Sequence, residues 1–69
     1  MRRLSGTYDG VEHVILEYDP PAAGVVPLLE CPSNLQAVLA QPDGTMPTGA
    51  ALDDACRTLF GDTFQVREV

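Results

Sequence analysis

The dipeptide Asp9-Gly10 is the feature that most restricts how this chain folds. Asp-Gly accepts the positive φ angles of a two-residue type I′ turn, whose twist matches that of the strands it joins. Extended, partly apolar segments lie on both sides of it. The pattern therefore predicts a β-hairpin with strands over residues 2–8 and 11–18.

The turn also predicts the register of the hairpin. Counting outward from it, one face pairs Tyr8 with Val11, Gly6 with His13, Leu4 with Ile15 and Arg2 with Glu17. This face is mostly apolar and is expected to cover the core. The other face pairs Thr7 with Glu12, Ser5 with Val14 and Arg3 with Leu16, and is expected to be exposed to solvent at the turn end. We expect His13 to fill the gap over Gly6 as a packing residue, in preference to a proton-transfer role.

The middle of the chain is interrupted by prolines. Asp19-Pro20-Pro21 ends the second strand, because proline lacks the donor that a sheet requires. Pro27 and Pro32 limit the next apolar stretch to a short edge strand over residues 28–31. The S-x-x-Q pattern from Ser33 to Gln36 is typical of a capping box and predicts a helix over residues 34–41. A strand with Leu35, Ala37 and Leu39 inward remains the alternative.

The best-defined helix is predicted over residues 49–60, with Thr48 as its N-cap. Its apolar positions fall at helical spacing and form one stripe, which we expect to be core: Leu52, Ala55, Cys56, Leu59 and Phe60. Gly61 suits the positive φ that ends a helix. Asp53, Asp54, Arg57 and Thr58 are expected to face outward, with Arg57 partly neutralising both aspartates.

Residues 62–69 are expected to form a last strand with Phe64 and Val66 inward. The sum is one α+β domain over residues 1–69, with two layers. It comprises a three- to four-stranded antiparallel sheet, made of the N-terminal hairpin and the C-terminal strand, with one or two helices on one face.

Charge restricts the class of partner. The chain has 4 basic and 10 acidic residues, for a net charge of −6. No basic residue lies between Leu4 and Cys56, a stretch that holds Asp9, Glu12, Glu17, Asp19, Glu30, Asp43, Asp53 and Asp54. Such a chain repels phosphate backbones and is attracted to basic surfaces, so we expect a basic protein partner and no direct nucleic-acid binding. The alternative is that the acidity only keeps a small protein soluble.

Other chemistries find little support in the sequence. Cys31 and Cys56 are expected to remain packed thiols, since small disulfide scaffolds carry more cysteines and no export signal precedes them. Cys31, Cys56 and His13 do not show the paired spacing that metal ligands have, so we expect no metal site. Neither a nucleophile-base pair nor a phosphate-cradling glycine pattern occurs, so we expect no enzyme activity and no cofactor. No apolar run is long enough to span a membrane, and we expect a cytoplasmic monomer.

Taken whole, from MRRLSGTYDGVEHVILEYDPP through TGAALDDACRTLFGDTFQVREV, the chain resembles the small acidic anti-CRISPR proteins of the type I-C group in length, acidity and order of segments. The resemblance implies a phage or mobile-element protein that acts in the infected bacterial cell. Its partner would be a DNA-binding subunit of the Cascade complex, which it would keep from target DNA by DNA mimicry or by steric occlusion. Carboxylates can occupy a channel of Lys and Arg as phosphates do.

Six acidic residues on turns or predicted outward faces are the candidates for this contact: Asp9, Glu12, Asp43, Asp53, Asp54 and Asp62. Two other functions compete. The order of hairpin, capped helix and strand also resembles HicB-type antitoxins, which would make this a small acidic antitoxin or regulatory adaptor that neutralises a basic RNase. A structural subunit is the third possibility, with the apolar residues 22–29 as its interface.

Overall fold

The computed structural model describes residues 1–69 as a four-stranded sheet with two helices. The elements are β1 (Arg2–Tyr8), β2 (Val11–Glu17), β3 (Leu29–Glu30), α1 (Ser33–Leu39), α2 (Ala50–Phe60), a 3₁₀ turn (Gly61–Thr63) and β4 (Gln65–Glu68). All strand pairs are antiparallel, in the order β3-β2-β1-β4. The predicted α+β class is confirmed, and β3 is the expected edge strand in shortened form.

The N-terminal hairpin is confirmed in both its turn and its register. Asp9 and Gly10 have φ angles of 54° and 78°, as a type I′ turn requires. Tyr8 lies opposite Val11, and the pairing continues to Arg2 opposite Glu17. Leu4 and Ile15 are fully buried on the predicted core face.

Phe60, and not His13, fills the space over Gly6. A Cβ atom on Gly6 would lie only 2.3 Å from Cγ of Phe60. The expectation for His13 is therefore wrong, because the last turn of α2 lies across β1 at this point. His13 is half-buried beside Tyr8 instead, with 6.3 Å between the ring centroids.

The core joins one face of the sheet to both helices. Its buried apolar members are Leu4, Ile15, Leu35, Leu39, Leu52, Cys56 and Phe60. Leu35 and Leu39, one helical turn apart, are both buried, so the helix prevails over the strand alternative. Ala55 and Leu59 are half-buried at the margin of this core.

Both predicted helix caps are wrong. Ser33 is the first residue of α1 and makes no capping bond, and the side-chain amide of Gln36 donates through Nε2 to the carbonyl of Cys31 instead. Thr48 makes no side-chain capping bond to α2, which follows Gly49. A carboxylate from the hairpin binds just ahead of this helix: Glu17 Oε2 accepts the amide N–H of Gly49 at 2.8 Å.

The C-terminal segment departs from the predicted strand at both ends. Gly61 has the expected positive φ, 58°, but it opens a 3₁₀ turn, so that β4 begins only at Gln65. Phe64 packs against the core as expected. Val66 lies opposite Leu4 on the core face yet remains 44% exposed, because β4 is an edge strand that neither helix covers. The expectation that Val66 is inward is wrong to that extent.

Candidate partner-binding surface

Asp53 does not face outward as predicted. Its carboxylate binds the guanidinium of Arg2, with Oδ1 at 2.7 Å and Oδ2 at 3.0 Å from Nη1. Glu17 accepts the Nε–H of the same arginine at 2.8 Å, and Arg2 Nη2 donates to the carbonyl of Gly49 at 3.2 Å. The side chain of Asp53 is engaged in this ion cluster and is only 26% exposed, so we withdraw it from the contact candidates.

The ion cluster of Arg2, Glu17 and Asp53 attaches the start of α2 to the open end of the hairpin. Burial alone would lower the pKa of Arg2, but its hydrogen bonds to Glu17 and Asp53 outweigh that effect and raise the pKa. Glu17 is 7% exposed and was not among the candidates. The hairpin register, which sets Arg2 opposite Glu17, is the sequence signal for this pair.

Three of the predicted candidates lie together at the turn end of the sheet. Asp9 is in the turn itself, and Glu12 follows it in β2, opposite Thr7. On the other side of β1, the amide of Thr7 donates to the hydroxyl of Thr63 at 2.8 Å, which brings the adjoining Asp62 to the same end. All three acidic residues are exposed and none forms an ion pair. We call Asp9, Glu12 and Asp62 the turn-end carboxylates.

The two remaining candidates lie on other elements. Asp43 is exposed in the connection between α1 and α2, where the hydroxyl and the amide of Thr45 donate to its carboxylate and lower its pKa. Asp54 is exposed on α2 but pairs with Arg57, whose Nη1 is 2.9 Å away. Arg57 thus neutralises Asp54 alone and not both aspartates as expected.

The arginines are confined to three elements of the fold. Arg2 and Arg3 lie on β1, Arg57 on α2 and Arg67 on β4. The strands β2 and β3, the helix α1 and the connections between them contain no arginine or lysine. Cations reach the open end of the hairpin, where Arg2 binds Glu17, but Asp9 and Glu12 at its turn form no ion pair, so this end carries unneutralised negative charge.

The cysteines occupy apolar surroundings. Cys56 is fully buried and Cys31 is half-buried, and neither forms a disulfide. Burial raises the pKa of the Cys31 thiol, and it raises that of Cys56 to about 11. No three side chains of His, Cys, Asp or Glu lie close enough together to hold a metal ion.

An apolar cavity lies beside the connection between β2 and β3. It has a volume of about 490 Å³ and lining residues that include Val26, Leu28 and Met46. Val26 is 71% exposed and Leu28 is 68% exposed. The interface expected over residues 22–29 remains a prediction.

Neither helix is long and apolar enough to cross a membrane. Comparison of the chain with protein-family models, with curated proteins and with solved structures finds no match.

Proposed function

We propose that this protein binds a basic protein surface through its turn-end carboxylates, and that the surface belongs to a DNA-binding subunit of a type I CRISPR effector complex, Cascade. One observation supports binding to a basic surface: Asp9, Glu12 and Asp62 lie at the same end of the sheet. All three carboxylates are exposed and unpaired.

Their arrangement favours a cationic partner for a physical reason. Glu12 lies opposite Thr7 in β2, and Asp62 precedes Thr63, whose hydroxyl accepts the amide N–H of Thr7, so both acidic residues lie beside the same end of β1. Charges that lie within a Debye length of one another, about 10 Å at 0.1 M salt, act together on an approaching partner, which favours a group of carboxylates over scattered ones. A channel of Lys and Arg that holds DNA offers the complementary field, whereas a nucleic acid would be repelled.

The choice of Cascade as the target is supported by the resemblance of the whole chain to type I-C anti-CRISPR proteins. In this proposal the protein acts in an infected bacterial cell and prevents the effector from engaging target DNA. The carboxylates occupy cations that would otherwise bind phosphates, and the body of the domain adds steric occlusion. No metal or cofactor takes part.

The test is a pull-down with the tagged protein from two bacterial lysates, one with and one without type I-C effector genes. We expect Cascade subunits to be retained from the first lysate. The variant that combines Asp9→Asn, Glu12→Gln and Asp62→Asn should retain less of them. Retention of one basic protein from both lysates would contradict the proposed target. If that protein were a basic RNase, the result would favour the antitoxin alternative.

A further inference from the structure

The sheet face opposite the helices carries a pair of opposed arginines. Arg3 and Arg67 are direct partners in the register of β1 and β4, so their side chains project from the same face. Neither takes part in a salt bridge, whereas Arg2 and Arg57 each bind a carboxylate. Like charges directly opposite each other destabilise a sheet. Two unneutralised cations therefore lie side by side in a protein with a net charge of −6.

An apolar depression adjoins this arginine pair. Leu16 is the neighbour of Arg3 in β2, and with Val14 it belongs to the lining of a cavity of about 390 Å³. Cys31 and Pro32 line the same cavity. Glu30 of β3 lines it as well and keeps its negative charge, since its carboxylate accepts only the hydroxyl of Tyr18, at 2.8 Å; in the strand order it lies on the side of Leu16 away from the arginine pair. The cavity and the arginine pair thus form one continuous patch, which we call the open-face patch: Val14, Leu16, Arg3 and Arg67.

The shape of the patch indicates the kind of ligand. Sites for small molecules bury about 70–90% of the ligand surface. Five residues of the sheet and the adjoining chain line this depression, and no helix or strand covers it, so it is too open to enclose a small molecule in that way. Such a depression can accept a side chain that protrudes from another protein. Arginine is favoured at protein interfaces, and its planar guanidinium binds carboxylates with two parallel hydrogen bonds.

We propose that the open-face patch binds a protein segment in which an acidic residue lies close to a large apolar residue. The apolar side chain would occupy the depression over Val14 and Leu16, and the carboxylate would lie between Arg3 and Arg67. Because adjacent strands are roughly 5 Å apart, the two partner residues would be about one or two positions apart in an extended segment. This contact uses other residues than the turn-end carboxylates, although Glu12 lies on the same sheet face two positions from Val14, and it calls for a partner surface of the opposite sign.

Three blocked pentapeptides test the proposal, with binding followed by shifts of backbone amide signals in NMR spectra. The sequences are Glu-Leu-Glu-Leu-Glu, its apolar-deleted form Glu-Ser-Glu-Ser-Glu and its charge-reversed form Lys-Leu-Lys-Leu-Lys. We expect only the first to shift the amide signals of Arg3, Leu16 and Arg67. The lysine peptide is expected to bind the turn-end carboxylates instead, so it should shift the amide signals of Asp9, Glu12 and Asp62.

Matched variants separate the patch from general electrostatics. Arg3→Gln with Arg67→Gln should weaken binding of the first peptide by about tenfold, the effect of one lost charge-assisted contact. Arg57→Gln removes one charge outside the patch and should leave the affinity nearly unchanged, whereas Arg3→Gln and Arg67→Gln, each of which also removes one charge, should each weaken binding when made singly. The double variant should melt no lower than the wild type, because it removes a like-charge contact.

Several results would overturn the proposal. Absence of shifts at the patch with millimolar peptide would show that the arginines bind no such segment. Equal shifts with the serine peptide would show that the depression contributes nothing. If the same amide signals moved with protein concentration alone, the occupant would be a second copy of this chain and not a different protein.

Discussion

Replacement of Gly6 by alanine tests how closely α2 packs on the sheet. The added Cβ would lie 2.3 Å, 2.4 Å and 2.7 Å from three carbon atoms of Phe60, Cγ, Cβ and Cδ2. Carbon atoms pack at about 3.5–4.0 Å, so the strand and the helix would have to separate by about 1 Å. Gly6 is held in β1 by its pairing with β2, and Phe60 is 96% buried at the end of α2. Neither can move without disturbing the core.

We expect a loss of about 3 kcal/mol in the free energy of unfolding, at the upper end of the range for overpacking. In a domain of this size that corresponds to a fall in Tm of about 12–24 °C. Urea unfolding followed by circular dichroism measures the difference. Gly44→Ala is the control, since nothing lies within 4 Å of its added Cβ and its φ of +87° costs only about 1–2 kcal/mol. If Gly6→Ala cost no more than Gly44→Ala, the close packing of Phe60 on β1 would be refuted.

Two further predictions concern buried groups. Arg2→Ala should destabilise the protein by about 3 kcal/mol, because Glu17 and Asp53 would remain close together without the cation that both of them bind, and the loss should shrink as added salt screens their repulsion. Melting curves at low and at high salt check this, and an equal loss at both would contradict the role of charge. The pKa of Cys56 is raised to about 11, so the folded state holds its thiol proton longer than the unfolded state does. Titration of Cys56 should therefore leave the free energy of unfolding constant below about pH 9 and lower it as the pH rises towards 11. A Cys56→Ala variant with the same dependence would contradict that assignment.

Local patterns predicted much of the fold because they act between neighbouring residues. Asp9-Gly10 determines a turn, and the turn determines the register down to Arg2 opposite Glu17. The stripe on α2 was equally informative, since its burial needs only helical spacing and an apolar surface to pack against. The position of α2 along β1 is different in kind. It depends on Phe60 meeting Gly6, a contact that no pattern within either segment predicts.

The outward-facing candidates were harder to predict for the same reason. The sequence of α2 gives no reason for Asp53 and Asp54 to differ in exposure. Asp53 forms a partly buried ion pair only because Arg2 approaches it from β1, whereas the ion pair of Asp54 with Arg57 is exposed. The convergence of Asp62 with Asp9 and Glu12 likewise depends on the 3₁₀ turn that replaces the start of the predicted last strand. Long-range contacts between segments thus determine which carboxylates remain free.

Competition for target DNA tests the central claim most directly. A type I-C effector is offered labelled DNA with the wild-type protein, with the Asp9→Asn, Glu12→Gln and Asp62→Asn variant, or with a control that carries Asp19→Asn, Asp43→Asn and Asp54→Asn. Both variants change the net charge from −6 to −3, but the control removes carboxylates that already bind a cation or Thr45, whereas the turn-end variant removes three unpaired ones. We predict inhibition by the wild type and the control that weakens with added salt, and inhibition by the turn-end variant that is about tenfold weaker. Equal inhibition by all three proteins, insensitive to salt, would contradict the claim, and so would a wild-type protein that leaves DNA binding unchanged.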